Sequence, residues 1–84
     1  LNLDDPIKIT WIDIEDASEW MTMAEAKTPP DAIVDTLGFY CGEDKDYLYV
    51  SSSVIRDCDQ RNRTAICKGV IKKIQKIMFY GDLK

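Results

Sequence analysis

Histidine is missing from the 84 residues, and with it go the commonest general base and the commonest metal ligand. Ser51-Ser52-Ser53 therefore offers hydroxyls with no imidazole to activate them, and a lysine base would need a desolvated pocket. Glycine-rich dinucleotide and P-loop spacings are absent, so no loop is built to cradle a phosphate. No apolar run approaches the roughly 20 residues of a membrane-spanning helix, and no charged-then-apolar leader is read at the N-terminus, although Leu1 leaves a removed segment open. Cysteine is scarce: Cys41, Cys58 and Cys67 are an odd number without a CxxC spacing. A zinc site would lack its fourth ligand. Free thiols in a reducing, cytoplasmic (intracellular) compartment are the expectation, with one disulfide plus a spare thiol as the alternative.

What is present is the composition of one small folded domain spanning 1–84. Hydrophobic residues make up 45% and charged residues 31% of 9.6 kDa, a balance outside the disordered range. A chain this short buries about 60–65% of the surface its unfolded form exposes. Such domains add disulfides, a metal or partner subunits, which leaves a homo-oligomer as the expected source of extra stability. No cofactor and no metal are expected.

The net charge of −4 conceals an asymmetry. Residues 1–42 carry two lysines against nine acids, a net of −7, whereas 43–84 carry nine basic and six acidic residues. Between 56 and 76 seven basic residues face only Asp57 and Asp59. Such a split points to an anionic partner or to head-to-tail association of copies, and its plainer reading is a solvated face.

Ile7–Ile14 is β-branched and aromatic and follows Pro6, the pattern of a strand. Thr22-Met23-Ala24-Glu25 has capping-box spacing, and Pro29-Pro30 ends what it begins, predicting one short helix near residues 23–27. Ala32–Cys41 reads as a long strand with Gly38 in a bulge or sharp bend. The turn chemistry of Gly42–Asp46 joins it to Tyr47–Ile55 as a hairpin. A polar loop over 57–63 and a short strand at Thr64–Cys67 follow. In the last segment the local pattern leans to an amphipathic helix. Val70, Ile71, Ile74, Ile77 and Met78 have helical spacing, while the β-branched residues among them favour a strand.

Strand, short helix, bent strand, hairpin, strand and closing strand is the order of a small SH3-like barrel. Ile7–Asp13, Trp20, Asp35-Thr36-Leu37-Gly38-Phe39, the Glu43–Asp46 turn and Lys68-Gly69-Val70-Ile71 together resemble a group of small uncharacterised phage and environmental proteins with Sm-like barrels. The resemblance covers most of residues 7–77 and confers no activity. It implies a mainly β, five-stranded SH3-like/Sm-like barrel with one short helix, and it turns residues 70–78 into a strand. Against the Sm motifs themselves, Gly38 and Asp46 are similar in position. Tyr49 stands near where a base-contacting Asn would fall, and Cys67 intervenes in the second motif.

Several residue groups bear on function. Asp13, Glu15, Asp16 and Glu19 lack the spacing of a calcium loop and read as a solvated acidic loop. Cys58 lies beside Arg56 and Arg61, whose charge lowers a thiol pKa, yet a surface thiol is the plain expectation. Trp11 and Trp20 are expected to bury area under the barrel. Arg61, Arg63, Lys68, Lys72 and Lys73 are the candidate anion or nucleic-acid contacts, although no aromatic interleaves them in the sequence to stack a base. Ile66, Ile74 and Ile77 are the candidate oligomer interface. Two functions are expected from these features: a non-enzymatic, self-associating assembly module, or an Sm-like RNA-binding protein.

Overall fold

The computed structural model describes residues 1–14 and 31–84. The short helix expected at 23–27, Trp20 and three of the four loop acids (Glu15, Asp16 and Glu19) lie outside the described residues. Five strands follow one another: β1 (Pro6–Ile14), β2 (Asp31–Glu43), β3 (Tyr47–Val54), β4 (Arg61–Cys67) and β5 (Ile71–Lys76). Lys68–Val70 forms a single 3-10 turn between β4 and β5, the only helical element among the described residues. The protein is thus mainly β, and the final segment is a strand despite its helical spacing. Ile71 and Ile74 take their places opposite Trp11 and Ile9 of β1, and that pairing overrides the periodicity.

All strands belong to one antiparallel sheet in the order β4-β3-β2-β1-β5. β4 and β5 are its edges, and no ladder among the described residues joins them, so the sheet is not closed. Alternation along the strands builds the core on one face. Ile7 and Ile9 of β1, Leu48 and Val50 of β3 and Ile66 of β4 are buried, with Trp11, Tyr40, Val70 and Ile71 packed against them. Trp11 is anchored at its polar end, where its indole N–H donates to Thr36 Oγ1 at 2.9 Å.

Gly38 is not the bulge. It pairs regularly with Ile7, and the register of β2 against β3 slips between Tyr40 and Gly42 instead. The glycine is required for a different reason: a Cβ there would strike Val50 Cγ2 and lie 2.7 Å from the Ser51 carbonyl oxygen. Gly42 is the residue of the slip that needs a left-handed backbone, with φ of 109°.

β4 begins three residues earlier than its apolar pattern suggests. Its first half is polar, and Asn62 holds it. The Asn62 Oδ1 accepts from Ser51 Oγ at 2.6 Å and from the Ser53 amide at 3.1 Å, and its Nδ2 donates to Ser52 Oγ. A second register slip falls here, between Ser51 and Val54. The serine triplet thereby acts as the lining of a bulge, and Ser51 is fully buried.

Candidate functional site

The basic stretch is dispersed across the sheet. Arg61 opens β4 and is committed inside the molecule. Its Nε and Nη2 donate to Asp4 at 3.0 and 2.8 Å, and its Nη1 donates to the carbonyls of Cys58 and Gln60 at 2.7 and 3.1 Å. Its hydrogen bonds to the Asp4 carboxylate push its already high pKa further up. Lys68 pairs with Glu43 at 2.7 Å. That contact and the Tyr40 hydroxyl hold the Glu43 carboxyl below its ordinary range, while burial and the same Glu43 push the Tyr40 hydroxyl up. Lys72 and Lys73 are exposed on β5, the opposite edge of the sheet order from Arg61 and Arg63. The geometry brings Arg61 and Arg63 together on one strand and separates both from Lys72 and Lys73.

Arg63 has a different environment. Its guanidinium carbon lies 4.5 Å from the centroid of the Tyr49 ring, a cation–π contact, and it takes part in no ion pair among the described residues. Tyr47 lies beside Tyr49, with ring centroids 6.4 Å apart and planes inclined by 30°. The aromatic partners that the basic stretch lacks in sequence are therefore supplied by the neighbouring strand. The signal was available in Tyr47-Leu48-Tyr49: strand alternation sends Leu48 into the core and both tyrosines to the other face. Asp44 fixes this end of the hairpin, accepting from the Tyr49 hydroxyl and from the amides of Asp46 and Tyr47 at 2.9 and 2.8 Å. Those bonds, that of Tyr49 first, hold the Asp44 carboxyl below its ordinary range, and the same contact pushes the Tyr49 hydroxyl up.

A cleft of about 390 Å³ adjoins this face and is lined by Leu3, Cys41, Asp59, Arg61 and Arg63. A larger, open one of about 550 Å³ lies over the 54–59 loop beside Asp4 and Arg61. The three cysteines are free thiols, Cys41 and Cys58 half-buried and Cys67 exposed. The Cys58 sulfur accepts the Gln60 amide at 3.5 Å. No cluster of three metal-ligating side chains occurs among the described residues, and no helix among them is long and apolar enough to cross a membrane.

The isoleucines singled out for association have three different fates. Ile66 is a core residue, 4% exposed and paired opposite Leu48. Ile74 is partly exposed on β5, opposite Ile9. Ile77 lines an apolar cleft of about 230 Å³ with Pro6, Leu37, Phe39 and Phe79. No family model, curated protein or solved structure matches this chain.

Proposed function

We propose that the protein is a non-enzymatic assembly module whose copies meet through the outer face of the β1–β2 ribbon and the C-terminal tail. One observation carries the reading. Among the described residues five apolar side chains form the buried core, while Leu37 and Phe79, 63% and 76% exposed, flank the apolar cleft that Ile77 lines. Covering large side chains of this kind gains roughly 1.5–3 kcal/mol each when burial is complete, a substantial addition to a thin core. Exposed ion pairs contribute about 0–1 kcal/mol, so apolar burial carries the association.

The face favours a second copy of this chain over the sheet edges as the contact. Arg63 lies on one edge strand and Lys72 and Lys73 on the other, none of them in an ion pair among the described residues. Like charges on both edges oppose pairing between copies, a common protection of edge strands. The outer face instead carries both signs. Lys8 stands opposite Leu37 and Asp35 opposite Thr10, so a two-fold contact can set Lys8 of one copy near Asp35 of the other. The strand order, with a 3-10 turn leading into β5, supports the finer reading of an open SH3-like or Sm-like small barrel.

Amide hydrogen exchange at two protein concentrations tests the site of contact. Slower exchange over residues 35–39 and 77–80 at the higher concentration is expected. Concentration-dependent protection confined to β4 or β5 would move the contact to the edges and overturn this reading.

A further inference from the structure

We propose that Tyr47, Tyr49 and Arg63 form a stacking platform for single-stranded nucleic acid on the outer face of β3 and β4. The two rings lie side by side on alternate residues of one strand, 6.4 Å apart and inclined by 30°, and Tyr47 is 43% exposed. Tyr47 can receive a planar base, while Tyr49 is half-buried beneath Arg63; aromatic stacking tolerates any base because every base has a π-face. Arg63 covers Tyr49 at 4.5 Å and is exposed. Its outward plane is a second stacking surface, and its N–H groups are donors for a phosphate.

Two further features give the strand a path. Arg63 also lines the cleft of about 390 Å³ with Leu3, Cys41, Asp59 and Arg61, a concave surface beside the rings in which one carboxylate is set against two guanidinium groups. Arg63 carries no carboxylate partner among the described residues, unlike Arg61 and Lys68, and its charge is therefore left for an anionic ligand. The Asp44 carboxylate stands at the hydroxyl end of Tyr49, accepting from that hydroxyl and from the Tyr47 and Asp46 amides. Its charge directs the phosphates to the Arg63 side. A proline-rich peptide would also use tyrosines, but it has no use for an unneutralised guanidinium stacked on one of them. The platform lies on different strands from the proposed contact between copies, so either proposal can fail alone.

Fluorescence anisotropy with short fluorescein-labelled oligouridylate and oligodeoxythymidylate provides the test. The unmodified protein is expected to bind both, with affinity falling as salt rises. Tyr47→Ala and Arg63→Ala should each weaken binding about tenfold, while Tyr47→Phe stays within about twofold of the parent. Replacing Lys72 and Lys73 together by alanine should leave the effect of Tyr47→Ala intact. Thermal melts of each variant separate lost binding from lost folding, and Tyr47→Phe keeps the ring in place. The proposal is overturned if neither oligomer binds the parent, or if Tyr47→Ala binds as the parent does. Saturable binding of a proline-rich peptide with no binding of either oligomer would assign the rings to a protein partner and overturn it equally.

Discussion

Asp4 and Arg61, fifty-seven positions apart in the chain, meet in a two-pronged pair, with Nε to Oδ1 at 3.0 Å and Nη2 to Oδ2 at 2.8 Å. The pair ties the turn before β1 to the first residue of the β4 edge. Asp4 has a positive φ of 65°, and its amide donates to the Tyr40 carbonyl at 2.8 Å. Arg61, the first residue of β4, thus helps to close the fold. Asp4→Ala and Arg61→Ala are each expected to lower the melting temperature by several degrees. The double variant should fall little further, since both remove one interaction. Arg61→Lys should not restore it, because an ammonium cannot span the carboxylate and two carbonyls as the guanidinium does. Thermal melts of the four proteins check this.

Gly38 makes a sharper prediction. An added methyl group would collide with the Val50 side chain and with the Ser51 carbonyl oxygen. Gly38→Ala should therefore destabilise the domain by about 1–3 kcal/mol. Trimming the side chain with Val50→Ala in the same molecule should not rescue it, because the carbonyl belongs to the backbone and cannot withdraw. Urea titration of the single and double variants measures the difference.

Core truncation sets the scale for such losses. Ile9→Ala or Leu48→Ala should cost about 2–5 kcal/mol, since both side chains are buried in the cluster that joins β1, β3 and β4. Asn62→Ala should cost about 1 kcal/mol. Ser51 can turn its single hydroxyl proton to the Ser53 carbonyl, 2.6 Å away, so the buried hydroxyl is not orphaned. The same urea titrations rank these variants.

The pH dependence follows from the β2–β3 turn. The Asp44 carboxyl is held below its ordinary 3.8 by the Tyr49 hydroxyl and two backbone amides. Asp5 is also lowered, first by the Asn2 amide, and so is Glu43 by Lys68. A lowered folded-state pKa means that the folded protein binds fewer protons than the unfolded chain. The stability from these groups is complete above the ordinary carboxylate range and is lost as pH falls through their lower folded values. Asp44→Asn should flatten part of that acid-side slope. Urea midpoints measured across acidic pH give the comparison.

Much of the sheet was legible in the sequence because its inner face is written in β-branched residues. Ile7 and Ile9, Leu48 and Val50, and Ile66 alternate with outward residues, and the turn at 44–46 separates two clear runs. The polar half of β4 was not legible, since Arg61-Asn62-Arg63 carries no apolar signal and is held by a side chain that reaches across to three serines. Gly38 was legible as special but not in its reason, because a close approach between strands is a long-range fact. The candidate site divides in the same way. The positive charges were visible, but charge alone does not distinguish Arg61, spent on Asp4, from Arg63, stacked on Tyr49. Only the register of β3 against β4 brings the tyrosines to the arginine.

Sedimentation velocity over a range of concentrations, in low and in high salt, tests self-association through the Leu37–Phe79 face most directly. The parent should sediment at a multiple of its 9.6 kDa in both salts, and Leu37→Asp or Phe79→Ser should reduce it to a folded monomer. A parent that is monomeric throughout, or an assembly that dissolves in salt and ignores both substitutions, would contradict the account.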